Sequence, residues 1–181
     1  MRILHVGTEL QWTKQEIDLL QLVKKLKSQY FAENWVAYPP NAEALKNFSP
    51  ICPVLSLAST KPFDPRSVLR LAKWIKHNQI HLLDAHSPNA LSLCLWAKKL
   101  CPAIQLVTRI HPSQTTHLKK RAQQKYCRPG VNQIIVNSPE DQAQLQAWGV
   151  PPSKIQLIAE KSTHTYISFF APIFSGALDL S

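Results

Sequence analysis

Short apolar runs of strand length alternate with segments of helical periodicity along most of this chain, and few architectures accommodate that order. Residues 1–6 form one such run, ended by Gly7, and beyond it Ile17, Leu19, Leu20, Leu22, Val23 and Leu26 recur largely at helical spacing. Strand, loop and helix therefore follow in order. Residues 35–38 read as a second strand, stopped by Pro39 and Pro40, and residues 54–57 as a third. Asp64 then caps a helix with Pro65 in its first turn and Val68, Leu69, Leu71, Ala72 and Ile75 on its buried face. Strands at 80–83, 104–108, 133–136 and 154–158 and helices at 89–100, 115–126 and 140–148 continue the alternation. Parallel strands covered by helices on both faces are predominantly apolar, as these runs are. The expected fold is α/β: a Rossmann-like three-layer sandwich with a mostly parallel sheet of about seven strands.

At 181 residues the chain can bury one substantial core but is short for two full α/β domains. Residues 1–158 are expected to form that domain. Residues 159–181 make a C-terminal tail, with Ser and Thr first and aromatics later, whose pattern assigns it neither to helix nor to strand. Its apolar stretch, 166–180, is broken by Pro172, Gly176 and Asp179 and falls short of the roughly 20 residues of a membrane-spanning helix. Cys52, Cys94, Cys101 and Cys127 form no C-x-x-C pair, and no secretory leader pattern opens the chain. Reduced thiols and a cytoplasmic location are the expectation, with no metal site.

Lys and Arg number 21 against 11 Asp and Glu, a formal net charge of +10 that calls for an anionic counterpart. Phosphate is common to the candidates: nucleic acid, an anionic bilayer, a phosphorylated sugar or lipid. The basic residues fall on successive expected helices, at Lys24, Lys25 and Lys27, at Lys73 and Lys76, at Lys98 and Lys99, and at Lys119, Lys120 and Arg121. Solvated helix faces are the simplest reading, and a membrane-facing patch is the next, which would place the protein peripherally on the cytoplasmic face of a membrane. No recognisable nucleic-acid module is present, so nucleic acid is not an expected partner.

In an open parallel sheet, ligands meet the loops at the carboxyl ends of the strands. The first such loop runs from Gly7 to Glu16 and leads into a helix N-terminus, an end that attracts phosphate; Thr8, Trp12, Lys14 and Glu16 are its candidate substrate-binding residues. The second holds His86 and Ser87. His86 is suited to a sugar hydroxyl or to proton transfer, although on the residues alone bonding its own loop backbone is the simpler reading. The third joins Arg109, a guanidinium able to grip phosphate, to His111, or is an exposed loop held by its own polar residues. In the fourth, Ser138 is most economically a helix cap, with Pro139 at the first helical position, and is otherwise a ligand contact. Neither G-x-G-x-x-G nor G-x-x-x-x-G-K-[ST] nor G-x-S-x-G occurs, and the chain has only 4 glycines, so no cofactor is expected.

Several of these segments, in this order and spacing, carry a family resemblance. They are Arg2-Ile3-Leu4-His5-Val6-Gly7; the Trp12 loop with Leu19 and Leu20; Leu82-Leu83-Asp84-Ala85-His86-Ser87; Ile134-Ile135-Val136-Asn137-Ser138; and Trp148-Gly149-Val150-Pro151-Pro152-Ser153-Lys154-Ile155. Over residues 1–158 the chain resembles the N-terminal domain of family-4-type glycosyltransferases of the GT-B fold. The resemblance implies that this domain holds the acceptor, while a second Rossmann-like domain binds the nucleotide-sugar. No counterpart of that second domain follows here. Where the family has a Gly-Gly pair that lets backbone approach the donor phosphates, Lys14 and Gln15 stand instead, whereas Glu16 matches the family's pattern. His111 lies three residues after Thr108, where relatives often place a His two residues on.

The leading expectation is an acceptor-side glycosyltransferase domain, inactive alone, transferring a hexose to a lipid-linked or phosphorylated acceptor only with a donor-binding partner. His86 and His111 are its candidate catalytic contacts. The alternative is a non-catalytic binding or scaffold protein derived from such a domain, for instance a homodimer. The missing glycine pair favours it, as does an apolar tail able to cover an exposed patch.

Overall fold

The computed structural model describes residues 1–30, 32–59, 61, 64–110 and 120–158. Its strands are β1 (Arg2–Val6), β2 (Glu33–Tyr38), β3 (Val54–Ser56), β4 (Leu82–Ala85), β5 (Gln105–Arg109), β6 (Gln133–Val136) and β7 (Ile155–Leu157). Its helices are α1 (Lys14–Tyr30), α2 (Glu43–Phe48), α3 (Pro65–His77), α4 (Pro88–Leu100), α5 (Lys120–Tyr126) and α6 (Pro139–Ala147). The strands form one 7-stranded sheet, ordered β3-β2-β1-β4-β5-β6-β7, and every pairing is parallel. The Rossmann-like architecture expected from the apolar runs is the one the chain adopts.

Alternation along the strands splits the core into two halves. Leu4, Val6, Leu83 and Leu106 face one way and meet Val68, Leu71 and Ile75 of α3, Leu91 and Cys94 of α4 and Leu145 of α6. Ile3, Val36, Tyr38, Leu82 and Val107 face the other way, against Leu19, Val23 and Leu26 of α1 and Phe48 of α2. Full burial of a leucine such as Leu71 or Leu83 contributes about 1.5–3 kcal/mol, so these two layers dominate what holds the sheet.

Helix starts follow one chemical scheme. Asp64, Ser87 and Ser138 accept hydrogen bonds from the backbone N–H groups of Arg66, Ala90 and Asp141, and each is followed by proline in the first turn. Gly149 ends α6 with φ of 89°, a left-handed turn that a side chain disfavours, and Val150 N–H then reaches back to Leu145 O at 3.1 Å.

Three elements differ from the sequence expectation. β4 runs Leu82–Ala85 rather than 80–83, which puts Asp84 inside the strand. α1 begins at Lys14 rather than near Ile17, because Thr13 and Glu16 close its first turn. α2 was not foreseen: it is six residues long, and Ala42 at its N-cap makes no side-chain cap bond. Of the helix expected over 115–126, residues 120–126 are helical and the remainder lies outside the described residues, as does the tail 159–181 with its apolar stretch. Among the described residues no helix is long and apolar enough to cross a membrane.

Candidate functional site at the ends of β1 and β4

From β1 the chain steps outward to β2 and β3, then returns to lay β4 along the opposite edge of β1. The sheet order reverses there, and the loops leaving β1 and β4 diverge to opposite faces, which is where open α/β sheets form their ligand crevice. Backbone bonds lace its floor: Gly7 N–H donates to Ala37 O and His86 N–H to Val6 O, each at 3.0 Å. A Cβ on Gly7 would lie 2.2 Å from a ring carbon of Tyr38, so only glycine lets that aromatic ring close over the end of β1. Above the floor, Thr8 Oγ1 and Ser87 Oγ meet at 2.7 Å. Ser87 joins the crevice to α4, since its Oγ also accepts from Ala90 N–H at 3.2 Å.

Below this contact lies a buried polar cluster. The parallel register sets His5 of β1 opposite Asp84 of β4, and both are fully buried. His5 Nδ1 lies 3.1 Å from Asp84 Oδ2, and His5 Nε2 lies 3.2 Å from Asn34 Oδ1. Asn34 donates its amide to Ala32 O at 2.8 Å, which turns its oxygen toward the imidazole. His86 Nε2 comes within 3.2 Å of Asp84 Oδ2 and 3.4 Å of His5 Nδ1. From the end of β5, Arg109 Nη2 donates to the same carboxylate oxygen at 3.2 Å.

Burial alone would push the Asp84 carboxyl upward. The Arg109 guanidinium, then His86 and the hydrogen bonds from His5 and His86, outweigh it and hold the group well below the usual carboxylate range. His86 shifts the other way relative to its charge: burial lowers it, Asp84 raises it in part, and Arg109 and His5 lower it again. At neutral pH His86 is a neutral imidazole. With Nε2–H directed at Asp84, its Nδ1 keeps a lone pair and can accept a proton or a hydroxyl hydrogen bond.

His5, Asp84 and His86 also form a group whose ligand-type atoms all lie within 4.8 Å of one another. Arg109 already supplies positive charge to the shared oxygen, so a metal ion would have to compete with a guanidinium for it. The set works as a hydrogen-bond network that fixes His86.

The remaining residues singled out from sequence are dispersed. Trp12 sets its ring edge-on to Phe48 of α2 at 5.7 Å, and its backbone N–H donates to Glu43 Oε2 at 3.1 Å, which ties the first loop to α2. Lys14 is exposed at the start of α1. Glu16 is buried and accepts from the N–H of Thr13 at 3.0 Å and from its hydroxyl, the reciprocal half of a capping box. Ser138 caps α6 beyond β6, which β5 separates from β4. The crevice thus brings together Thr8, His86, Ser87 and Arg109, while Ser138 stays apart. His111 lies outside the described residues. The sequence reading gave no role to His5, Asn34 or Asp84; the available signal was a polar side chain inside an otherwise apolar strand, which burial makes costly unless it is paired.

Residues 15–159 match the family model described as Glycosyltransferase Family 4. HepE of Anabaena, solved in complex with UDP-glucose, superposes with a TM-score of 0.72 at 16% identity, over 88% of this chain and 44% of that one. A glycosyltransferase from Rickettsia africae gives 0.64 at 16% identity, over 87% of this chain and 42% of that one. A sucrose-phosphate synthase segment from Thermosynechococcus elongatus gives 0.66 at 15% identity and matches 96% of this chain to 99% of its own. At these identities the structural likeness is one of fold. The chain spans less than half the length of the first two proteins. No curated protein sequence matches it.

Proposed function

This chain belongs to glycosyltransferase family 4, and on that footing we propose that it is the acceptor-side half of a hexosyl-transfer machine. The acceptor, a lipid-linked or phosphorylated molecule, would enter the crevice between the ends of β1 and β4. A nucleotide-sugar would be supplied by a separate donor-binding domain or chain closing over it. HepE of Anabaena, solved with UDP-glucose, supports a nucleotide-sugar as donor.

The observation that carries the reading is the buried Asp84 that holds neutral His86 at the crevice floor with Arg109 beside it. In transfer, the acceptor hydroxyl bonds to the anomeric carbon while the nucleotide departs with the bonding pair, and the hydroxyl proton needs a receiver. His86 Nδ1 can hydrogen-bond that hydroxyl or take its proton, and Arg109 can meet an acceptor phosphate. Thr8 and Ser87 offer hydroxyls to the sugar, with Trp12 in the first loop and Lys14 at the start of α1 as further candidate contacts, and His111 as one on sequence grounds alone. The basic helices on one side of the sheet, α3 and α4, would face an anionic bilayer on the cytoplasmic side, where a lipid-linked acceptor is presented, while the lysines of α1 lie on the other side.

The test is saturation-transfer NMR of a phosphorylated hexose with the chain and with its His86→Ala and Arg109→Ala variants. Signal from the unsubstituted chain that fades in both variants is the expected result. A signal indifferent to both substitutions would remove the crevice from consideration.

A second reading, a non-catalytic binding or scaffold protein, draws support from α1. Its first turn is closed by Thr13 and by the Glu16 carboxylate, and Lys14 and Gln15 place side chains where the family's pattern has glycines. A helix end already capped and carrying a negative charge is a poor seat for a donor phosphate. Calorimetry with UDP- and GDP-sugars at low salt separates the readings: silence from the chain and from Lys14→Gly/Gln15→Gly keeps both open to a partner, whereas micromolar binding by the unsubstituted chain argues for an enzyme that works alone.

A further inference from the structure

We propose that the outer face of α3 and α4 is the surface by which this protein lies on an anionic membrane. The proposal rests on the membrane-facing role proposed above and deepens it by assigning one face and one orientation.

These two helices, 13 residues each, lie side by side over the same half of the core. Neither contains an acidic residue. Arg66, Arg70, Lys73 and Lys76 recur on α3 at the spacing of a single face, all of them exposed, while Val68, Leu71 and Ile75 on its other side are buried. On α4 Ala90, Leu91, Leu93, Cys94, Leu95 and Ala97 are buried, and the exposed residues are Asn89 at its start and Trp96, Lys99 and Leu100 toward its end. Lys98 turns aside to donate to Asn132, whereas Lys99 Nζ stands 4.0 Å over the Trp96 ring. The opposite side of the sheet is more mixed: α1 exposes Asp18 among its lysines, and α2 sets Glu43 against Lys46.

Charge alone would suit any polyanion, and the apolar residues decide between them. Leu69 is 62% exposed in the midst of Arg66, Arg70 and Lys73, and Trp96 and Leu100 are 42% and 43% exposed on the neighbouring helix. Aliphatic side chains ringed by cations gain nothing from a phosphodiester backbone. At a bilayer they enter the boundary between headgroups and acyl chains, the cations meet lipid phosphates, and tryptophan favours that same depth. Orientation follows from topology. Both helices start at the carboxyl end of the sheet, α4 at the residue after Ser87, so a docked bilayer runs up to the crevice mouth. Leu69 lies four residues into α3, about 6 Å along its axis from that end. An acceptor anchored in the bilayer would need to lift only its headgroup to reach His86.

Cosedimentation with vesicles of phosphatidylcholine, alone or with about a third phosphatidylglycerol, tests this on the intact chain without donor or acceptor. The expected result is binding to the anionic vesicles only. Arg70→Ala/Lys73→Ala weakens it about 25-fold, at about fivefold per cation, and Leu69→Ser weakens it about tenfold. Lys24→Ala/Lys25→Ala, on the far side of the sheet, leaves it unchanged. Quenching of tryptophan emission by brominated lipid should be lost in Trp96→Phe, and all these exposed positions should melt as the unsubstituted chain does. Equal loss from the α1 pair, or equal binding to neutral vesicles, overturns the proposal. Displacement of the chain from vesicles by duplex DNA, with the same variant sensitivity, assigns the face to nucleic acid instead. A concentration-dependent dimer abolished by Trp96→Phe assigns it to a second copy. Failure here leaves the crevice reading intact, because no sugar enters the assay; conversely, loss of sugar recognition would leave the docking result standing.

Discussion

Thr8 and Ser87 stand 79 positions apart in sequence, yet their hydroxyl oxygens meet at 2.7 Å where β1 and β4 end. One hydrogen bond therefore fastens the two loops that border the crevice. Ser87 has a second task as the N-cap of α4, whereas Thr8 has only the bridge among its described hydrogen bonds.

That asymmetry makes the pair separable. Ser87→Ala should cost about 1–2 kcal/mol, since cap and bridge go together, and Thr8→Val about 0.5–1.5 kcal/mol for the bridge alone. In the double variant the Thr8 effect should vanish. Urea unfolding of the four proteins gives the cycle, and full additivity would mean that the bridge contributes nothing.

Acid should weaken the fold through the cluster beneath. The Asp84 carboxyl is depressed in the folded state, so its contribution is complete above its unfolded value, near 3.8, and declines as pH falls through the folded one. His86 is also lowered, and its neutral form is the one folding favours. Its contribution is complete above the ordinary histidine value of 6.5 and begins to fall below it. Both effects share a sign, with His86 acting first. Urea midpoints measured from about pH 7 down to pH 3 should fall in two stages, and His86→Gln should flatten the upper stage only. Asp84→Asn should cost about 3–5 kcal/mol at neutral pH, because it strips the buried partner from Arg109.

Gly7→Ala puts a methyl 2.2 Å from the Tyr38 ring, which is fully buried and cannot swing away. The expected loss is about 1–3 kcal/mol, read as a lower melting temperature. Tyr38→Leu in the same chain should recover part of it; no recovery would place the strain in the backbone rather than against the ring.

Alkylation should rank the thiols. Burial pushes Cys52 up to about 11 and raises Cys94 further, and Cys101 is raised by burial as well. Cys127 is the one cysteine that is not buried. Brief treatment of the native protein with iodoacetamide near pH 8 should label Cys127 first, as peptide mass spectrometry would show. Early labelling of Cys94 would indicate that α4 opens from the sheet.

The strands were legible because burial on both faces forces a continuous apolar run, and the order of runs and helices leaves one architecture. α2 was hidden: six residues are too few to show a helical period and the alanine at the cap gives no start signal, and without it the Trp12 ring had no visible partner. Caps at Asp64, Ser87 and Ser138 were readable because their chemistry is local, a side-chain oxygen followed by proline. The site was readable only in outline. His86, Ser87 and Arg109 announce themselves at strand ends, but their meaning depends on His5 facing Asp84, a pairing set by the register of two distant strands that no local pattern encodes.

The reversal of strand order also has a price during synthesis. β1 is made first, and its β4 side stays open until residue 82 emerges from the ribosome, a delay of roughly 4–15 s at about 5–20 residues per second. Throughout that interval the nascent chain carries a central, apolar strand with a bare edge and with His5 lacking its acid, a surface that a chaperone or a neighbouring polypeptide can capture before the chain's own second half arrives.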